Sequence, residues 1–326
     1  MVKLDSPKTT RKSAIPFLNS PSGTGLRLRI GTRGSPLALA QAEIVERRLA
    51  AVYAAGAFEL VSVKTSGDLI QDRPLSEAGG KGLFTKELDL ALERGDIDIA
   101  VHSAKDLPTI LPEQIEIAGY LPREDVNDVW ISQKAPGPRT LPKGAVVGTS
   151  SLRRGALLKR LRPDLALTLL RGNVETRLAK LARGEIDATI LALAGLRRLG
   201  LAHRATKVLD CEEFVPAVGQ GAIGIAVRRG AAIVDLLRPI LDPATGVALA
   251  CERALLRILD GSCHTPIGGY AYLEDAALAI HAIVLRPDGT QFYETRLRGA
   301  ATDAVALGEA AARELLARAP SGFLER

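Results

Sequence analysis

Residues 26–56, LRLRIGTRGSPLALAQAEIVERRLAAVYAAG, read as a strand, a turn and a helix. Leu28 and Ile30 alternate with Arg27 and Arg29 as in a strand with one buried face, and Gly31-Thr32-Arg33-Gly34 breaks the alternation. Ser35 is a good N-cap and Pro36 suits the first helical position. Leu37, Ala40, Ile44, Val45, Leu49 and Val52 then share one helical face, which ends before Gly56. The same order returns later: Ala145 to Gly148 is a short apolar strand, Thr149-Ser150-Ser151 turns it, and Leu152 opens a helix that ends before Pro163. A second echo joins these halves. Thr85 to Glu93, helix-like, runs into RGDIDIAV (94–101), and Val174 to Ala182 runs into RGEIDATI (183–190). Two similar α/β lobes facing each other are therefore expected, with parallel-rich sheets whose ligands sit outside the carboxyl ends of the strands.

After Pro243 the rhythm changes to a helix (Ala244 to Leu259), a Gly/Ser/Cys turn, strands near 277–285 and 291–297 around the hairpin signal Arg286-Pro287-Asp288-Gly289, and an Ala-rich helix from about Thr302 to Ala317. This is a small α+β unit that presents Cys263 in a loop. At 326 residues the chain exceeds what one core usually supports, and 47% hydrophobic with 25% charged residues is ordinary globular composition. Aromatics at 4% offer no stacking platform, so nucleic acid is not an expected partner. The net charge of +6 suits an anionic one. Cysteines at 211, 251 and 263 make an odd count that fits a reducing compartment, and the four histidines show no metal-ligand spacing, so no metal is expected. With no apolar run long enough for a bilayer and no secretion signal in residues 1–25, a cytoplasmic protein without membrane partners is expected; organelle import through that Ser/Thr/Pro/Lys-rich leader stays open.

The loops that follow the strands carry the chemistry. Arg33 and Ser35 follow the first strand, and His102-Ser103-Ala104-Lys105-Asp106 follows the strand at 97–101. Ser150, Ser151, Arg153 and Arg154 occupy a third loop, and Arg171-Gly172-Asn173 a fourth. One arginine alone reads as a solvated surface charge; four cationic or hydroxylic loops at equivalent places read as a site for carboxylates or phosphates. Arg153 and Arg154 in a helix's first turn oppose the macrodipole, a cost of about 0.3–1 kcal/mol each that a bound anion would reverse. Gly79-Gly80-Lys81-Gly82 lacks the Walker spacing and reads as a mobile Gly-rich segment. Asp106, among cations, can pair with a developing cationic nitrogen; the bland reading is an N-cap before Leu107, weakened by Pro108. Cys251 reads as core, and Cys263, in DGSCHTP (260–266), as a loop thiol.

Seven segments, GTRGSPLALAQ (31–41), GGKGLFTKEL (79–88), DIAVHSAKDLP (98–108), GTSSLRRG (148–155), LRGNVETRL (170–178), PAVGQGAIGI (216–225) and CERALLRILDGSCHTPIG (251–268), fall in the order found in the porphobilinogen deaminase family, which the chain resembles from about Leu26 onward. The resemblance implies two periplasmic-binding-protein-like lobes plus a small C-terminal α+β domain. Residues 1–25 would be a disordered tail, 26–121 with 217–240 lobe 1, 122–216 lobe 2, and 243–326 the C-terminal cofactor-carrying domain. It implies a dipyrromethane cofactor joined through a thioether to Cys263, and Asp106 as the catalytic residue that contacts pyrrole nitrogens. Arg33, Ser35, Ser103, Lys105, Thr149, Ser151, Arg153, Arg154, Arg171 and Arg177 would bind the acetate and propionate groups of cofactor and substrate, with Gln41, Arg198 and Gln220 in matching motifs.

The implied reaction is deaminative head-to-tail joining of porphobilinogen into the linear tetrapyrrole hydroxymethylbilane, by a chain expected to be a monomer. Family members often have a basic residue where this chain has Ser66, and some have Lys at position 77 where it has Glu, which puts local loop contacts in doubt. The rival class is a non-catalytic, two-lobed anion-binding or effector-sensing protein. It explains the arginines equally well but gives no reason for a loop cysteine in a third domain.

Overall fold

In the computed structural model, which describes residues 27–53, 57–69, 82–259 and 266–324, strand β1 (Leu28–Arg33) runs through the break read at Gly31. Pairing explains the extension. Gly31, Thr32 and Arg33 lie opposite Val61, Ser62 and Val63 of β2 (Phe58–Val63) in parallel register, and a Cβ on Gly31 would stand 2.2 Å from the Ile97 side chain. Helix α1 (Pro36–Val52) is capped by Ser35, whose hydroxyl accepts from the Ala38 amide. Its core face is rotated from the one read in the sequence: Ala38, Gln41, Ala42, Val45 and Leu49 are buried, while Val52 is exposed. Leu37 instead points across the cleft toward Gly195.

The single turn α2 (Ser66–Leu69), α3 (Lys86–Arg94), β3 (Ile99–Ser103) and β4 (Ile115–Tyr120) complete the first run of chain. The second run is β5 (Asp128–Ser132), β6 (Val146–Gly148), α4 (Leu152–Leu161), β7 (Ala166–Thr168), α5 (Val174–Ala182), β8 (Ala188–Ala192), α6 (Leu193–Arg198) and β9 (Lys207–Val208). The chain then returns through β10 (Ile223–Arg228) and α7 (Ile233–Leu237).

The sheet orders β2-β1-β3-β10-β4 and β7-β6-β8-β5-β9 are the same pattern twice, so the echo at 85–101 and 174–190 marks equivalent helix–strand units. The sheets are not purely parallel. In each, one strand runs against the other four: β10 in the first, β5 in the second. Those two strands follow the crossings between lobes, so the reversal comes from the chain entering each sheet from the opposite lobe.

The third unit consists of α8 (Pro243–Ile258), strands β11 (Ile267–Glu274), β12 (Ala277–Leu285) and β13 (Phe292–Ala300) in an antiparallel sheet of that order, and α9 (Ala304–Arg318). Strand β11 escaped the sequence reading because Gly268 and Gly269 dilute its pattern. Their missing side chains admit Val215, Val218 and Leu255, which a Cβ would meet within 3.0 Å. A Cβ on Gly308 would lie 2.0 Å from the Cys251 carbonyl, so α8 and α9 pack nearly backbone to backbone. The core here joins α8, α9 and β12 to Ala104, Leu107, Tyr120, Val218 and Ala222, and Ile283 and Leu285 of β12 join the core beneath α4. The third unit is thus fused to both lobes by apolar burial.

Polar contacts finish that junction. Arg123, on the crossing between β4 and β5, places its guanidinium on both oxygens of Glu252 at 2.6 and 3.2 Å. Glu252 is fully buried in α8 and also accepts the amides of Gly219 and Ala271 at 2.7 and 2.8 Å. Arg123 donates as well to the Gln220 carbonyl. Removing one partner of such a pair leaves an uncompensated buried charge, worth about 3–5 kcal/mol. Glu252→Ala should therefore lower the thermal unfolding midpoint by on the order of 10 °C, with Glu252→Gln milder; a midpoint unchanged by Glu252→Ala in scanning calorimetry would show that the apolar fusion alone holds the third unit.

Candidate functional site: a cationic cleft between the lobes

The parallel strands aim their carboxyl ends at one cleft of ≈ 1060 Å³. Arg33 ends β1, Ser103 ends β3, Thr149-Ser150-Ser151 follows β6, and Ala192 ends β8. Every residue named above as catalytic or binding, apart from Cys263, lines it: Arg33, Ser35, Gln41, Ser103, Lys105, Asp106, Thr149, Ser151, Arg153, Arg154, Arg171, Arg177, Arg198 and Gln220. Cys263 and His264, like Gly79 to Lys81 and the leader 1–25, lie outside the described residues. Leu256 of α8 and Ile267 of β11, which flank Cys263 in the sequence, line the cleft. Among the described residues, eight lysines and arginines line the cleft against two acids, Asp106 and Glu175, so the cavity suits a ligand with several carboxylates.

The hydroxyls serve as caps first. Ser35 caps α1, Ser151 accepts from the Arg154 amide at the start of α4, and Thr149 accepts from the Ser151 amide. A capping hydroxyl keeps its own proton, so these groups can still donate to an anion. Gln41 and Ser103 hydrogen-bond each other at 2.8 and 3.1 Å, clamping α1 to the end of β3. Asp106 ends a one-turn 3₁₀ segment after β3 and caps nothing. Its carboxylate faces the cleft with Arg33 Nη1 at 3.7 Å, and the Arg33 guanidinium lies 4.1 Å from the centre of the Phe84 ring.

The two arginines of α4 do not wait bare for an anion, as the helix-dipole reading of them alone would have it. Arg153 and Arg154 are buried against Asp128, at 2.8 and 2.7 Å, with further bonds to the carbonyls of Val215 and Ile190. Asp128 offsets their cost at that helix start, and the flanking guanidiniums overcome its burial to hold its carboxyl well below the usual range. Arg153 Nε and Gln220 Oε1 are nevertheless buried without a hydrogen-bond partner. Each such atom calls for a partner that the described residues do not supply, whether an ordered water, an ion or a ligand group.

Burial first, then Arg154 and Arg171, draws the Arg177 guanidinium down to about 10; burial, opposed by Glu124, does the same to Arg198. Lys105 projects into the cleft and still meets solvent. Confinement by the surrounding walls, then Arg154, draws its ammonium down to about 8, with Asp106 and Asp128 pulling the other way. Water reaching the amine opposes the fall, and its direction is what carries to function.

The sequence reading missed Asp128, Phe84 and Lys64. Lys64 follows β2 and lines the cleft, so the rule that loops after strands carry the cations would have found it. Phe84 sits inside the quoted GGKGLFTKEL, and Asp128 is a lone charge opening the apolar strand DVWIS. At Ser66, one of the departures noted in the sequence, the amide and hydroxyl both donate to Glu87 Oε1. Among the described residues no helix is long and apolar enough to cross a membrane, and no three His, Cys, Asp or Glu side chains cluster as metal ligands.

A two-lobed α/β architecture with a cationic cleft and a fused third unit defines the class. Residues 28–235 match the family model described as porphobilinogen deaminase, dipyromethane cofactor binding domain, and residues 247–317 match the porphobilinogen deaminase C-terminal domain. The chain is 53% identical over 309 residues to the porphobilinogen deaminases of Nitrobacter winogradskyi and Nitrobacter hamburgensis, covering 94% of this chain and 98% of each relative. The chain belongs to the porphobilinogen deaminase family. Among solved structures, a putative methionine-binding lipoprotein from Bacillus subtilis has a TM-score of 0.41 at 14% identity, covering 66% of this chain and 89% of its own. A periplasmic substrate-binding protein of an ABC transporter from Coxiella burnetii has a TM-score of 0.42 at 16% identity, covering 67% and 93%.

Because Lys105 loses its charge at lower pH than an ordinary lysine, binding of succinate to the cleft should weaken as pH rises, starting below the range in which an ordinary lysine titrates. Lys105→Arg, which stays charged there, should remove that dependence in calorimetric titrations. Superimposable pH profiles for the two proteins would exclude Lys105 from anion binding.

Proposed function

We propose that this cleft is where porphobilinogen units are joined head to tail, with release of ammonia, into hydroxymethylbilane, and that Asp106 and the cleft cations divide the work. The observation that carries the reading is the excess of cations around one aspartate that has no hydrogen-bonded partner among the described residues. The enzyme is a transferase with a dipyrromethane cofactor. When bound, that group supplies the free pyrrole α-carbon to which each new unit is attached. The cleft suits it in volume, in positive charge and in the unsatisfied Arg153 Nε and Gln220 Oε1.

Asp106 accepts the pyrrole N–H and stabilises positive charge that develops there as ammonia departs. Arg33, 3.7 Å away, holds the carboxylate toward the cleft while its fork reaches a substrate carboxylate. Arg153, Arg154, Arg171, Arg177, Arg198 and Lys105 neutralise acetate and propionate groups, and Ser35, Thr149 and Ser151 donate hydroxyl protons to them, while Ser103, whose proton goes to Gln41, takes part at the cleft wall through that pair. Gln41 fixes Ser103, and Gln220 fixes the wall of the second lobe.

Cys263 is the attachment point in this reading. Support comes from Leu256 and Ile267, which flank it in the sequence and line the cleft. The other thiols are poor nucleophiles: burial pushes Cys251 up to about 12 and Cys211 up to about 11. The division into 26–121 with 217–240, 122–216 and 243–326 belongs to the same reading, supported by β10 pairing between β3 and β4. A plain anion binder is not favoured, since the family match spans both the cofactor-binding and the C-terminal domain.

Intact-mass analysis of active protein should show one dipyrromethane added, stable to reductant and denaturant as a thioether is, and peptide mapping should place it on Cys263. An unmodified mass in fully active protein, or an adduct on Cys211 or Cys251, would overturn the attachment. Asp106→Asn keeps the size and removes the charge, so turnover should fall by about 10² or more with the adduct retained; near-normal turnover would make Asp106 a structural residue.

A further inference from the structure

Asp128 opens β5 with no solvent exposure, and its two oxygens divide their partners. Oδ2 accepts from Arg153 Nη2 at 2.8 Å. Oδ1 accepts from Arg154 Nη2 at 2.7 Å, Arg154 Nε at 3.1 Å and Gln220 Nε2 at 2.9 Å. A buried ion cluster is a poor device for stability alone, because apolar residues of the same volume often do as well or better. This cluster also stands at a cleft wall, with both arginines lining the cavity and Arg153 Nε unsatisfied. Two guanidiniums held by one carboxylate keep a net positive charge and cannot turn away from the cleft without breaking a charged hydrogen bond.

The contacts continue past Gln220. Its carbonyl accepts from Arg123 Nε at 2.9 Å, and the neighbouring Gly219 amide donates to Glu252 at 2.7 Å. Glu252 belongs to α8, the helix that precedes the Cys263 loop. The arginine pair and α8 are therefore tied through residues 219–220, with a buried carboxylate at each end.

We propose that Asp128 is a positioning residue of the cleft: it acts through Arg153 and Arg154, holding them preorganised for the carboxylates of the covalently carried group, and through Gln220 keeps the pair in register with α8. This inference rests on the functional reading above and adds to it a residue that touches neither substrate nor cofactor. Preorganisation lowers the cost of ordering the forks when an anion arrives, so the effect belongs to docking rather than to bond making at Asp106. Asp128→Asn keeps the shape, but the amide can no longer accept from both arginines; one guanidinium faces a donor and the pair carries one more positive charge.

The test follows conversion of cofactor-free protein to the covalently loaded form by intact mass after mixing with porphobilinogen. Asp128→Asn should load at least about tenfold more slowly than wild type, as expected when a buried charged pair loses its partner. Once loaded, it should show a raised KM with kcat little changed. Asp128→Asn combined with Gln220→Glu, which returns a carboxylate to the cluster from the other side, should recover part of the loading rate. Should Asp128→Asn not fold, Gln220→Ala cuts the tie to α8 without altering charge and should still slow loading. Loading of the folded variant at the wild-type rate, or a fall in kcat at unchanged KM, would overturn the inference while leaving the functional reading intact. A wild-type protein that never gains the adduct would overturn both.

Discussion

Glu252 receives both terminal nitrogens of the Arg123 guanidinium and two backbone amides while sealed from water, and the rest of the molecule is arranged around that bond set. Its donors come from separate stretches: the outward crossing between lobes, the return crossing, and β11. A carboxylate at that depth is tolerable only if every lone pair is used, so the three stretches are held in one geometry. The two crossings are also what insert an antiparallel strand into each sheet. The constraint that closes the junction therefore also fixes how the lobes face each other across the cleft.

The cleft inherits its chemistry from this arrangement. Equivalent strand ends in two similar sheets point at one space, so the loops that follow them pool their charge. Burial within the cleft walls draws Lys105, Arg177 and Arg198 toward their neutral forms, and neighbouring arginines add to the effect at Lys105 and Arg177. The protein offsets part of the cost of gathering these cations internally, with Asp128 under Arg153 and Arg154 and Asp106 beside Arg33, and the cleft keeps a net positive charge among the described residues. Folding stability and ligand affinity draw on the same charges, and the internal acids set how they are divided.

Local signals were legible wherever one element explains itself. The capped start of α1, the bounds of α5 at 174 and 182 and the hairpin after β12 follow from residues within a few positions of each other. The Cys251 side chain reads as core and is fully buried. What stayed hidden depends on distant partners. Strand β1 runs on through Gly31 only because β2 lies beside it, the core face of α1 turns because Leu37 meets the opposite lobe, and β11 is stabilised by residues that fill the space over its glycines. The cleft residues were found largely through their motifs, and pooling them in one space needed the paired lobes that the repeat suggested.

Asp128 marks the limit of that legibility in physical terms. Its partners lie 25, 26 and 92 residues away in the chain, so no window of sequence contains the interaction. A sequence reading can assign Arg153 and Arg154 to an anion because the helix start leaves their charge unexplained, but it cannot tell whether the anion is supplied by the ligand or by the fold. Here the fold supplies one carboxylate for two guanidiniums, and Arg153 Nε has no hydrogen-bond partner among the described residues. A fully neutralised pair would have no attraction left for a ligand, and a bare pair would be unstable without one. One acid between two bases is the intermediate that lets the pair be buried in the folded chain and still keep a net positive charge at the cleft wall.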